Sequence, residues 1–186
     1  LNPETIDQKM VKKLRASVVL MGSMLARFKK IDFPTPGGCI IGNRPLDTHF
    51  EAFKKMGVTI EEDSANNIFY LHTDGLIGTK IVLQEFSVTA TENILMASCL
   101  AKGKTILKIA ATEPHVEDLA KCLNKMGAKI KGAGTHTLEI EGVEKLNGVV
   151  HEVIPDPVEA GTFGILAAAT RSEIKIKNIN PDHLDL

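Results

Sequence analysis

Apolar positions along the chain follow two rhythms, one helical and one alternating. Between Ala16 and Arg27, Val18, Val19, Met21, Leu25 and Ala26 recur largely at helical spacing, which predicts a first helix. A second is expected over about Leu46 to Met56. Short alternating segments follow: VTIEE (Val58 to Glu62) and IFYLH (Ile68 to His72) flank the turn-prone DSANN, and KIVLQ (Lys80 to Gln84) comes after them, all read as strands. The order then restarts with a helix at about Ala90 to Ala101, a strand at Thr105 to Ala110 and a helix at about Val116 to Met126. Strands are expected at Ala128 to Gly132 and Thr137 to Glu141, with Val149 to Ile154 closing the group. A helix at about Glu159 to Thr170 and a strand at Glu173 to Ile179 begin a further copy.

The words repeat with the rhythm. FKKMGVTI at Phe53 to Ile60 returns as LNKMGAKI at Leu123 to Ile130, an offset of about 70 residues. The repeating unit is strand, helix, strand, helix, strand, strand, so the fold class is α/β (α+β) built from βαβαββ units. Units of this size are expected to pack around a pseudo-symmetry axis, apolar helices inside and sheets outside, since a doubly wound sheet does not need paired consecutive strands in every unit.

Composition narrows the function classes. With 44% apolar and 24% charged residues the 186-residue chain reads as globular, with one domain or one and a fraction. A net charge of -1, the absence of tryptophan and only 4% aromatic residues argue against nucleic acid and anionic membranes as partners. No apolar run approaches the ~18 residues of a membrane span, and LNPETIDQKM is too polar for a secretory signal, so a cytoplasmic location is expected. Three cysteines without a CxxC pair fit a reducing compartment and offer neither a disulfide framework nor a zinc site. The start at Leu1 and the break in NINPDHLDL suggest an internal piece of a longer protein.

Candidate chemistry gathers at two places. In TPGGCIIGNRPLD (Thr35 to Asp47), Cys39 follows two prolines and two glycines, in a loop able to move as a lid. A thiol with an ordinary pKa of about 8.5 is mostly protonated near neutral pH and is a candidate acid; an incidental surface thiol is the alternative. Arg44 supplies a guanidinium fork suited to phosphate or carboxylate. Backbone N–H groups near Leu46 to Thr48 offer an anion seat, with helix capping by Asp47 or Thr48 as the plainer reading. In EFSVTATEN, Ser87 to Thr91 open a helix after a strand, where hydroxyls and free N–H groups suit a diphosphate and plain capping is again the alternative. Cys99 and Cys122 read as core, His49 as structural, and Glu113 and Asp156 as helix caps. No P-loop, dinucleotide fingerprint or nucleophile elbow occurs.

Taken together, RASVVLMGSMLARF, PGGCIIGNRPLDTH, SVTATENILMA, EPHVEDLAKCLNKMGAKI and PDPVEAGTF resemble the UDP-N-acetylglucosamine enolpyruvyl transferases, in order and over nearly the whole chain. The resemblance implies an inside-out α/β barrel of two domains. Residues 1–154 would be two of three repeats of one domain, and residues 155–186 the start of the other. It implies transfer of the enolpyruvyl group of phosphoenolpyruvate to the 3-hydroxyl of UDP-N-acetylglucosamine, the first committed step of peptidoglycan synthesis, with no cofactor or metal. Cys39 becomes the proton donor and the thiol alkylated by fosfomycin. Arg15, Arg44, Pro45, Leu46, Asp47 and Thr48 would line the sugar-nucleotide site, joined by Ser87 and Val88 and, with weaker support, Glu85, Phe86 and Thr89. Many members carry a basic residue at the position of Glu85 and a glycine at that of Thr89, so Glu85 is expected to turn away from the diphosphate. The base and the carboxylate-binding arginines fall outside these 186 residues, so the remainder of the parent chain is expected to complete the site. A catalytically silent sugar-nucleotide-binding paralogue and the shikimate-pathway enolpyruvyl transferase are the alternatives; the latter does not use the PGGC loop.

Overall fold

The structure, a computed structural model, describes residues 6–37 and 45–184. A short helix α1 (Gln8–Val11) and a 3-10 turn (Arg15–Val19) lead into α2 (Leu20–Phe28), followed by β1 (Lys30–Pro34), α3 (Asp47–Lys55), β2 (Thr59–Asp63) and β3 (Ile68–His72). Strand β4 (Lys80–Ser87) then opens a second run: α4 (Val88–Ser98), β5 (Lys104–Ala110), α5 (Pro114–Lys125), β6 (Lys129–Lys131) and β7 (Thr137–Glu141). From β4 to β7 this is one complete βαβαββ unit.

The two runs share a topology. The first sheet has the order β1-β3-β2 and the second β4-β5-β7-β6, so the trio β5-β7-β6 repeats β1-β3-β2, antiparallel throughout. Strand β4 lies parallel to β5. The expectation of mixed sheets and helices in repeated units is met, and no closed barrel forms among the described residues.

The KMG echo has a direct structural cause. After α3, Gly57 takes φ +87° while its N–H donates to Lys54 and that of Val58 donates to Phe53; after α5, Gly127 takes φ +104° with the matching bonds to Asn124 and Leu123. These are two Schellman stops, which need a residue free to adopt left-handed φ and close over an apolar contact, here Phe53 with Val58, both buried. The same helix ending, written twice, turns each chain segment into its first hairpin strand.

Helix α4 runs through the interior. Ala90, Ile94, Leu95 and Ala97 are fully buried, and Met21 and Leu25 of α2 face them from across a close crossing. The apolar alternation of the sheets meets these helices through Ile31, Phe33, Ile81, Leu107, Leu138 and Ile140. Gly22 lets α2 and α4 approach: a Cβ there would overlap the backbone carbonyl of Asn93. Its N–H, one of the unpaired donors of the first helical turn, donates to Asn93 Oδ1 at 2.6 Å.

Three expectations are corrected. The first helix divides into the 3-10 turn and α2, and β1, ending in Pro34, was not anticipated at all. Val149 to Ile154 and Glu173 to Ile179 form no strand. By analogy with β4 and β5 they would be a parallel pair, but no hairpin backs them among the described residues, and a lone two-stranded pair is not stable. Val150 accordingly stands 97% exposed. The last predicted helix is present as α6 (Pro157–Thr170), capped by Asp156, whose carboxylate accepts from the N–H groups of Val158 and Glu159. Ala160 is its one buried residue, while Val158, Phe163, Ile165 and Leu166 lie open.

The α2–α4 crossing yields a stability prediction. Gly22→Ala gains about 1 kcal/mol in helix propensity but forces two backbones apart, a change that costs ~1–3 kcal/mol in a packed core. Urea denaturation is expected to show a net loss; a variant at least as stable as wild type contradicts the close approach.

Candidate active site

Three separated segments converge on one cleft. Arg15 opens the 3-10 turn, Pro45 and Thr48 sit at the start of α3, and Glu85, Ser87 and Thr89 span the junction of β4 and α4; together they line a cavity of about 510 Å³. A neighbouring cavity of about 420 Å³ shares Arg15 and Pro45 and adds Leu46 and Asp47. Most of the residues expected to bind a sugar nucleotide are thus brought together. Val88 and Phe86 line neither cavity: Val88 packs towards the core, and the exposed Phe86 ring lies 4.8 Å from that of His136. Cys39 and Arg44 lie outside the described residues.

Local chemistry differs from simple capping at one helix and agrees with it at the other. Leu46 occupies the cap position of α3 without a side-chain bond, and Asp47 is already helical, where a carboxylate suits the positive end of the helix. Thr48 is buried and donates its hydroxyl to Glu85 Oε1 at 3.1 Å. This bond turns Glu85 into the cleft, not away from it, because the buried hydroxyl needs an acceptor and the β4 edge offers this one. At α4, Ser87 is the cap and its Oγ accepts from the Ala90 N–H at 3.3 Å. Glu113 holds the cap position of α5 without a side-chain bond. Cys99 is buried, its thiol donating to the Leu95 carbonyl, and burial pushes it up to about 12, well away from any reactive role.

Two residues behind the cleft carry a role the sequence did not assign. Asn93, fully buried on α4, accepts from Gly22 N–H with Oδ1 and, with Nδ2, reaches the Val18 carbonyl at 3.0 Å and His49 Nδ1 at 3.1 Å. His49, 4% exposed, reaches Thr89 Oγ1 with Nε2 at 3.2 Å. Burial, and secondly the charge of Arg15, lowers its pKa to about 4. A signal existed in TATEN: an asparagine inside an otherwise apolar helical run must find partners for its whole amide.

The family profile described as EPSP synthase (3-phosphoshikimate 1-carboxyvinyltransferase) matches residues 2–186, and the chain belongs to this family of enolpyruvyl-group transferases. Among curated relatives, the UDP-N-acetylglucosamine 1-carboxyvinyltransferase of Endomicrobium trichonymphae is 52% identical over 178 residues, covering 94% of this chain and 42% of that protein. UDP-N-acetylglucosamine 1-carboxyvinyltransferase 1 of Carboxydothermus hydrogenoformans is 46% identical over 185 residues, spanning 44% of its length. The chain therefore spans about two fifths of the relatives it matches. Among solved structures, the enolpyruvyl transferase NikO from Streptomyces tendae superposes with a TM-score of 0.70 at 22% identity, over 85% of this chain and 37% of that one. An EPSP synthase from Acinetobacter baumannii gives 0.64 at 22% identity, over 91% and 39%. These two likenesses show the fold. No helix among the described residues is long and apolar enough to cross a membrane.

The buried His49 predicts a pH dependence of folding. The unfolded chain takes up the imidazole proton near pH 6.5 and the folded one only near 4, so this stability is whole above about 6.5 and is lost as pH falls towards 4. The loss amounts to at most ~3 kcal/mol. In His49→Gln that component of the acid slope is expected to vanish from denaturation midpoints measured between pH 7 and 4; an unchanged slope would place the titration elsewhere.

Proposed function

We propose that the protein to which this chain belongs transfers the enolpyruvyl group of phosphoenolpyruvate to the 3-hydroxyl of UDP-N-acetylglucosamine with release of phosphate, feeding peptidoglycan synthesis in the cytoplasm. One observation carries the reading: Arg15, Pro45, Thr48, Glu85, Ser87 and Thr89, far apart in sequence, line a single cleft, in a chain that is 52% identical to a relative bearing that name. The shikimate-pathway alternative draws on the name of the family profile and on likenesses to EPSP synthases at 22–24% identity, and the PGGC loop speaks against it.

In this reading the 3-hydroxyl oxygen bonds to carbon 2 of phosphoenolpyruvate while the Cys39 thiol gives its proton to the methylene carbon. A base outside these residues removes the hydroxyl proton. Phosphate then leaves the tetrahedral adduct as a methyl proton is lost, restoring the double bond. Arg15 and Arg44 stabilise anionic substrate, and closure of the Pro36 to Arg44 loop excludes water. Residues 1–154 serve as two repeats of one domain, and residue 155 onward begins another. α6 supports that division: beyond Glu159 in its first turn it is largely apolar with no polar face, the character of an interior helix such as α4, yet Val158, Phe163, Ile165 and Leu166 lie open.

Mixed with both substrates, the 186-residue chain alone is expected to release no phosphate above background, since it supplies one wall of the cleft; turnover typical of an intact enzyme overturns the two-domain reading. In the full-length protein, Cys39→Asp is expected to keep measurable phosphate release, whereas Cys39→Ser loses ~10²-fold or more, a hydroxyl being too weak an acid. Both variants are expected to escape covalent labelling by an epoxide inhibitor such as fosfomycin in intact-mass measurements. Full activity in the serine variant refutes the acid role.

A further inference from the structure

The hydrogen bonds behind the cleft leave no freedom in where their protons sit. Gly22 N–H can only donate and the Val18 carbonyl can only accept, so the Asn93 amide is fixed with Oδ1 towards Gly22 and Nδ2 towards Val18. Its second Nδ2 hydrogen then points at His49 Nδ1 at 3.1 Å, which must accept. A neutral imidazole that accepts at Nδ1 carries its hydrogen on Nε2, and this hydrogen goes to Thr89 Oγ1 at 3.2 Å. Oγ1 thus receives a hydrogen bond from behind. Its own hydrogen meets no acceptor among the described residues, and the side chain lines the 510 Å³ cleft with Arg15. A protonated His49 would set Nδ1–H against the amide N–H, so the chain of bonds itself holds the ring neutral.

We propose that Asn93 and His49 are positioning residues that make Thr89 a hydrogen-bond donor into the cleft, where its hydroxyl recognises an acceptor oxygen of the ligand. The inference rests on the functional reading above only for the identity of that ligand. Arg15 on the same wall favours an anionic oxygen, and phosphoryl oxygen is the chemistry that both proposed substrates share. Its source is either the diphosphate of the sugar nucleotide or phosphoenolpyruvate. Glu85, at the same β4–α4 junction, accepts from Thr48 with one carboxylate oxygen.

The test uses the full-length protein. Long-range 15N–1H correlation spectra of the histidine side chains, assigned with His49→Gln, are expected to show His49 as the Nε2–H tautomer across neutral pH. Binding of UDP-N-acetylglucosamine, and the KM for phosphoenolpyruvate, are then measured for wild type, Thr89→Val and Thr89→Ser. The valine variant is expected to lose about tenfold or more for whichever substrate supplies the acceptor, as when one hydrogen bond to a charged group is removed, and serine to restore most of it. Asn93→Asp places an acceptor opposite Nδ1 and is expected to shift the ring to Nδ1–H. Thr89 must then donate to Nε2, and Thr89→Val in that background is expected to cost nothing further. If Asn93→Asp does not fold, the tautomer and the valine–serine pair still decide. An Nδ1–H ring in wild type overturns the relay; equal affinities for valine and wild type for both substrates overturn the donor role. Failure of wild type to bind either substrate overturns the functional reading and the ligand assignment with it, whatever the tautomer.

Discussion

The crossing of α2 and α4 is the contact on which the rest is built. Gly22 removes the side chain that would separate the two backbones, and the space is taken by the Asn93 backbone carbonyl, while the Asn93 side-chain amide ties the first turn of α2 to the middle of α4. A buried amide is costly unless all of its hydrogen bonds are made. Two of its partners are backbone groups of one helix terminus, and the third is a side chain from α3, so three elements of the first unit and one of the second are locked by a single residue. The cleft lies directly over this lock, and its floor inherits the rigidity of the core.

Rigidity matters because the cleft residues sit on junctions. Thr48 is at the first turn of α3, Ser87 caps α4 and Thr89 is the second residue of its first turn. Such positions expose backbone N–H groups without helical partners, which is what an anionic substrate needs. They would be imprecise if the helices below could slide. Anchoring α4 through Asn93 and α3 through His49 holds both helix starts in one frame, and a ligand that bridges them meets a preorganised surface.

How much of this was legible in sequence divides along physical lines. The Schellman stops were legible as a repeated KMG, because left-handed φ has a strong residue preference. Helices and hairpin strands followed from periodicity for the same reason, being local. Strand β1 escaped although Lys30 to Phe33 alternate polar and apolar, because the run is short and ends in proline, and what completes it is the pairing with the distant β3. The expected strand from Val149 to Ile154 failed in the opposite sense: its pattern is right, and no partner stands beside it. The site divides the same way. Residues 45–48 and 85–89 were found as motifs, but the bonds from Asn93 to Gly22 and Val18 cross 71 and 75 positions, and no local pattern reports on a pairing that distant. The direction of Glu85 was not legible either, since it depends on Thr48, another tertiary partner.

The cleft draws on both units, but only the first lends it the helix that follows its opening strand, α3. The 70-residue offset of the echoed words places Asp118 and Leu119 of α5 where α3 has Thr48 and His49. In the second unit Asp118 is held by His151 Nε2 at 3.1 Å, a nearly buried contact that ties α5 to the extended segment after β7, and Leu119 packs on the core. The equivalent tie in the first unit is Thr48 to Glu85, from α3 to β4. The same helical position therefore fastens helix to following chain in both copies. One copy closes the contact with a carboxylate and imidazole that satisfy each other; the other does so with a hydroxyl that leaves one carboxylate oxygen towards the cleft, and spends its histidine on orienting Thr89. One helical position thus carries a closed structural fastening in the second unit and a polar residue of the cleft wall in the first.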